Sequence, residues 1–228
     1  MLVLLDWNGT SIQTEYNTAR IVTDIANKND LPAQIGYVFE ELTGLHPYEK
    51  FTRLAEEAGR VLDEQTMNAM LGTHEERQNM FNSGLVRNNL FGGYLTAIHA
   101  LAQQGHTIAI CSNGNRQTLD NTIQRIGITD CFNDNIFTPD STLTPAKPQP
   151  DLLLTAMAQL NAAPEETIMI GDSLLDMSAA KAAEVKHRIA FISHVYASLP
   201  KQMTRMEKAG ATDFFTDHNK LPEMIAAL

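Results

Sequence analysis

Cysteine is nearly absent: Cys111 and Cys131 are the only two in 228 residues, far apart and each in an apolar context. This excludes a disulfide framework as the basis of the fold, and free buried thiols in a reducing compartment are expected. Basic residues are also scarce, 17 Lys and Arg against 27 Asp and Glu, for a formal charge of −10. Such a field repels nucleic acid and anionic membrane surfaces, so neither is an expected partner. No apolar run is long enough to span a membrane, and the short apolar start lacks the basic flank of a signal peptide. A cytoplasmic location is the expectation, as a monomer or dimer. Internal repeats, low-complexity tracts and runs of like charge are missing as well. What is left is an acidic chain long enough to bury a proper core, as one large domain or as a domain carrying a smaller insertion. A phosphate ligand would need local cations to overcome the field, a bound metal together with one or two placed basic side chains.

The first ten residues read MLVLLDWNGT. Leu2, Val3, Leu4 and Leu5 run without alternation, as in a strand buried on both faces of a parallel sheet. Asp6 then falls at the carboxyl end of that strand, where open α/β sheets place their ligands, and Gly9 allows a sharp turn. A carboxylate there can serve as nucleophile, metal ligand or N-cap. From Ser11 to Arg87 the pattern is helical, with helices expected over about Glu15 to Lys28, Pro47 to Ala58 and Asp63 to Phe81. Ala19, Val22, Ile25 or Ala26, then Phe51, Leu54, Ala55 and Ala58, then Met67, Met70, Leu71 and Met80 are their apolar positions, the methionines as packing residues. From about Asn88 strands and helices alternate to the end of the chain, with strands near 106–112, 136–138, 167–170, 188–193 and 213–215. Repeated β-α units predict an α/β fold, a doubly wound parallel sheet with right-handed crossovers, into which the helical block is inserted.

Three later segments carry residues suited to one task. Ser112-Asn113-Gly114 follows the apolar strand Thr107 to Cys111, and a hydroxyl with backbone amides in such a turn can hold phosphoryl oxygens. Lys147 lies in Pro145-Ala146-Lys147-Pro148-Gln149-Pro150-Asp151, where three prolines stiffen the loop. A positioned ammonium there can neutralise charge on a phosphoryl group and on an attacking carboxylate. Gly171-Asp172-Ser173-Leu174-Leu175-Asp176 follows the buried strand Thr167 to Ile170. Its two carboxylates stand one helical turn apart and can face one point, which suits Mg²⁺ with its waters and substrate oxygens. The alternative is an N-cap at Asp172 and a solvated Asp176.

In this order, Asp6-x-Asn8-Gly9-Thr10, Ser112-Asn113, Lys147-Pro148 and Gly171-Asp172-x-x-x-Asp176 resemble the four motifs of the haloacid dehalogenase superfamily. The layout is similar to its phosphoglycolate phosphatase and beta-phosphoglucomutase branches. The resemblance implies a Rossmann-like catalytic core over 1–12 and 88–228 and an inserted helical cap over 13–87. It implies a Mg²⁺-dependent phosphatase acting on a small phosphorylated metabolite through an aspartyl-phosphate on Asp6. Asp6, Asn8 and Lys147 would be the catalytic set. Thr10, Ser112, Asn113, Gly114, Lys147 and His46 would meet substrate or its phosphate. Asp6, Asn8 through its backbone carbonyl, Asp172 and Asp176 would hold the metal. The superfamily's phosphatases usually carry an acid/base aspartate where this chain has Asn8. That removes a proton shuttle worth about 10² to 10⁴ in rate, or roughly 3 to 5 kcal/mol of barrier. His46 and Glu41 are candidates to replace it from the cap. The alternatives are a phosphonate hydrolase using a cap lysine such as Lys50, and a slow or non-catalytic member that binds a phosphorylated ligand. A dehalogenase has no use for the Asp172 and Asp176 pair.

Overall fold

The computed structural model describes residues 1–139, 144–193 and 199–228. Among them the chain divides into two compact units, Met1–Gln13 with Val86–Leu228, and Thr14–Leu85.

The larger unit is built on one six-stranded sheet, every pair of neighbours parallel: β1 (Leu2–Leu5), β2 (Thr107–Cys111), β3 (Ile136–Phe137), β4 (Thr167–Gly171), β5 (His187–Phe191) and β6 (Asp213–Phe215), in the order β3-β2-β1-β4-β5-β6. β1 is central and buried along its whole length, as its unalternating apolar run requires. Leu2, Leu4, Ala109, Cys111 and Met169 face one side. There they pack with Leu152, Leu153, Ala156 and Met157 of α7 (Asp151–Gln159) and Ala179 and Ala180 of α8 (Leu174–Ala182). The alternate set, Val3, Leu5, Ile108, Ile110, Ile168 and Ile170, is equally buried. The sheet is therefore covered on both faces. This is the α/β, doubly wound parallel arrangement that the β-α alternation predicts. Four more helices complete the unit: α5 (Tyr94–Gln103), α6 (Arg116–Ile126), α9 (Leu199–Ala209) and α10 (Leu221–Ala226).

The smaller unit is helical: α1 (Glu15–Lys28), α2 (Ile35–Leu42), α3 (Pro47–Glu57) and α4 (Glu64–Ser83). α1 packs against the other three. Its core joins Ala19, Val22, Ile25 and Ala26 to Val38, Phe39, Leu42, Phe51, Leu54, Ala55, Met67 and Met70. α2 escaped the sequence reading because eight residues give a helical period little room, and Gly36, Val38 and two aromatics weaken helix propensity. Two apolar expectations fail here. Met80 is 70% exposed and Ala58 is only half-buried, both near a helix end where the packed face runs out. Cys131 corrects a third, since it is half-buried beside His99 whereas Cys111 is buried. No helix among the described residues is long and apolar enough to cross a membrane.

Candidate active site

Parallel register lines up the strand ends. Leu5 pairs with Ile110 on one side and Ile170 on the other, so Asp6, Cys111 and Gly171 stand one step further on, and Ser112 and Asp172 follow. The Asp6 N–H continues the ladder to the Ile170 carbonyl at 2.9 Å. Residues from three distant parts of the chain thus meet at one edge of the sheet, on the side where such folds bind ligands.

Lys147 completes the meeting. Its Nζ donates to Asp6 Oδ1 at 2.7 Å, to the Cys111 carbonyl at 2.7 Å and to Asp176 Oδ1 at 2.5 Å, so all three ammonium protons are used. The side chain is 4% exposed. The Lys147–Pro148 peptide is cis. Asn113 holds the lysine's own backbone from both sides: its Oδ1 accepts from the Lys147 N–H at 2.8 Å and its Nδ2 donates to the Lys147 carbonyl at 2.8 Å. Asn113 was expected to meet the phosphate, but its amide is committed to this loop.

Burial pushes the Asp6 carboxyl up to about 7, against the Lys147 ammonium and the Trp7 N–H that draw it down, while Asp176 adds to the rise. For Lys147 burial disfavours the charge, yet Asp176 and Asp6 outweigh it and hold the ammonium above the ordinary lysine value. Burial raises the Cys111 thiol to about 12, which leaves it unsuited to act as a nucleophile.

The acidic pair is placed by two close backbone approaches. Ser173, not Asp172, is the N-cap of α8. Its Oγ accepts from the Asp176 N–H, and Asp176 Oδ2 accepts from the Ser173 N–H at 3.0 Å and hydroxyl at 2.6 Å. Asp176 is 1% exposed, so neither half of the capping alternative describes the pair. Asp172 Oδ1 accepts from the Thr10 hydroxyl at 2.8 Å. The Thr10 side chain, expected on the phosphate, is therefore spent on orienting a carboxylate.

Gly9, at φ 77°, lies so close to Asp172 that a Cβ there would stand 2.1 Å from Oδ2, and a Cβ on Gly171 would stand 2.4 Å from the Asp176 side chain. Gly9→Ala must displace a carboxylate that Thr10 is holding, on top of a left-handed backbone that suits glycine. It is expected to destabilise the protein by about 2 kcal/mol or more, read as a lowered urea midpoint with unchanged slope. An unchanged midpoint would contradict the close approach.

One carboxylate oxygen from each of Asp6, Asp172 and Asp176 lies within 4.8 Å of the others, the one such cluster among the described residues. Three buried carboxylates face one ammonium, and a hard divalent cation is what that surplus of oxygen donors and negative charge fits. Ser112 Oγ accepts from the Gly114 N–H at 3.2 Å, which leaves its own proton to donate. Asn8 is half-buried and its amide nitrogen faces this turn, 3.9 Å from where a Gly114 Cβ would stand. His46, Glu41 and Lys50 belong to the helical unit. His46 caps α3, its Nδ1 accepting from the Tyr48 N–H at 3.3 Å with Glu49 closing the capping box. Lys50 is buried, and burial draws its ammonium below the ordinary lysine value against the charge of Glu15.

Sequence reasoning missed the part that Gly171 and the Asn113 amide play. A glycine at a strand end directly before an acidic helix start is the signal for the first. The second has none, because it depends on which loop lies opposite.

Comparison with known proteins agrees with this geometry. A phosphoglycolate phosphatase from Nitrosococcus oceani is 34% identical over 110 residues, 48% of this chain and 47% of that protein. The pyrophosphatase PpaX of Halalkalibacterium halodurans is 30% identical over 125 residues, 55% of this chain and 56% of its own length. The chain thus spans about half the length of these curated relatives. Among solved structures, a haloacid dehalogenase-like protein from Agrobacterium tumefaciens shares the fold with a TM-score of 0.82 at 21% identity, covering 99% of this chain and 97% of that one. A hydrolase of the same family from Deinococcus radiodurans, solved with bound phosphate and sodium, has a TM-score of 0.79 at 24% identity, over 99% and 95% of the two chains. The family profile of haloacid dehalogenase-like hydrolases matches residues 1–184, and with the sheet, the strand-end carboxylates and the buried lysine in place, the chain belongs to that family.

Proposed function

We propose that this hydrolase is a Mg²⁺-dependent phosphatase that passes a phosphoryl group from a small phosphorylated molecule to Asp6 and then to water. The observation that carries this reading is the Lys147 ammonium 2.7 Å from Asp6 beside the clustered Asp172 and Asp176. The names of the curated relatives, a phosphoglycolate phosphatase and a pyrophosphatase, support the substrate class.

Asp6 and Asp172, with Asp176 behind them and the Asn8 carbonyl alongside, would hold the cation, which supplies charge neutralisation at the phosphoryl oxygens. The Asp6 carboxylate oxygen not bonded to Lys147 attacks phosphorus. An O–P bond forms, and the bond to the leaving oxygen breaks with its electron pair going to that oxygen. Lys147 keeps Asp6 ionised against the desolvation that raises its pKa. The Ser112 hydroxyl and the turn amides around Gly114 take the non-bridging oxygens. Water then attacks phosphorus, and the bond to Asp6 breaks to release phosphate. The helical unit Thr14–Leu85 is assigned the part of a substrate-selecting cap.

Asn8 carries no transferable proton. A leaving group that departs as a stable anion needs none, so the reading favours acyl phosphates and phosphoanhydrides over alkyl esters. Asn8→Asp is expected to raise turnover of an alkyl phosphate by about 10² and to change an acyl phosphate little, in steady-state assays with Mg²⁺. An alkyl ester rate that does not move would overturn the lost-shuttle reading.

A further inference from the structure

We propose that His218 is a positioning residue for the cation site, acting on Asp172 through the Thr10 peptide. The inference rests on the cation reading above and concerns what holds one of its carboxylates.

His218 comes from a short 3₁₀ turn, His218–Lys220, next to the last helix, and takes no part in the chemistry proposed. It is 2% exposed, inside a cage of aromatic rings. Phe91 stacks on it at 5.6 Å, Phe191 lies at 4.6 Å, and Phe215 and Tyr94 meet it edge-on at 5.1 and 5.7 Å. Packing alone would fill this cage better with phenylalanine. A buried imidazole must satisfy two nitrogens, and here Nε2 has no partner. Burial lowers the ring's pKa to about 4, so at neutral pH it carries a single N–H.

That N–H is the reason for a histidine. The ring is hydrogen-bonded to the Thr10 backbone, and with Nε2 orphaned the donor is Nδ1. Thr10 is fully buried, and none of the backbone N–H groups in the surrounding turn bonds to its carbonyl. The turn closes instead through Ser11 N–H and Ile12 N–H to the Trp7 carbonyl and Gly9 N–H to the Ile12 carbonyl. His218 thereby fixes the Thr10 peptide plane, and the same residue's hydroxyl grips Asp172 Oδ1 at 2.8 Å. Partners behind a metal-ligating carboxylate set its orientation and hence the affinity of the site.

Two variants separate this role from packing. His218→Phe keeps the ring and loses the donor, whereas His218→Asn loses the ring and keeps a donor near the Nδ1 position. Mn²⁺ binding to the full chain, followed by electron paramagnetic resonance, is expected to weaken by about 10-fold or more in His218→Phe and to recover most of that loss in His218→Asn. A packing role gives the reverse order, and that result would overturn the inference. Where His218→Phe fails to fold, Thr10→Val breaks the same relay at the hydroxyl and should weaken Mn²⁺ to a similar extent; unchanged affinity counts against the relay. Nitrogen NMR of labelled histidine should show His218 as the Nδ1–H tautomer, and the Nε2–H tautomer overturns the link to Thr10. Wild-type protein that binds no Mn²⁺ overturns the proposed function and this inference together, whereas normal wild-type binding left intact by His218→Phe overturns this inference alone.

Discussion

Asp6→Asn is expected to lower turnover of every phosphorylated substrate by about 10⁴ or more, without loss of stability. The amide occupies nearly the same volume and still accepts from Lys147, but its oxygen is too weak a nucleophile to displace a leaving group from phosphorus. Stability should hold because burial already favours the uncharged form at this position, pushing the carboxyl up to about 7. Steady-state rates with Mg²⁺ and thermal unfolding of the same samples test both halves. Activity within 100-fold of wild type would remove Asp6 as the nucleophile. A folded protein without activity separates a chemical role from a structural one, which a destabilising variant cannot do.

Lys147→Met is expected to have the largest effect on stability. It keeps the bulk of the side chain but strips Asp6, Asp176 and the Cys111 carbonyl of a shared donor in a place closed to water. Removing one partner of a buried ion pair typically costs about 3 to 5 kcal/mol, because the remaining charge is left uncompensated. That loss should appear in urea unfolding with EDTA present and shrink when Mg²⁺ is added, since a divalent cation can offset the same carboxylates. Turnover should also fall by about 10² to 10³ as charge on the phosphoryl group loses its ammonium. A variant that unfolds like the wild type in EDTA would show that the ion pairs carry no net stability.

Most of the fold is legible in the sequence because its signals are local. The apolar run Leu2–Leu5, the helix closures at Gly105 and Gly127, and the α1 span Glu15–Lys28 each follow from spacing and terminal residues read over a dozen positions. The elements that escaped are short. α2 is eight residues long, and 3₁₀ turns such as His218–Lys220 have no period to find. The roles of site side chains are less legible than their identities. Thr10 and Asn113 stand in motifs that suggest phosphate contact, yet the first binds Asp172 and the second clamps the Lys147 backbone. Both partners lie on another segment of the chain, and no pattern within a motif can name them.

By itself the sequence determines that this is an acidic α/β hydrolase of the haloacid dehalogenase type, with carboxylates at two strand ends, a lysine in a proline-rich loop and an asparagine at the usual acid/base position. These follow from composition and from short motifs in a fixed order. Only the tertiary structure decides what those residues do to one another. Parallel register carries Asp6 and Asp172 to one edge, the bare backbones of Gly9 and Gly171 let the carboxylates close in, and Lys147 spends every proton on that cluster. It also decides that His218, far along the chain and silent in every motif, stands behind Thr10. Distances between segments remote in sequence are set by sheet order and packing, and the energies that tune a buried carboxylate depend on those distances.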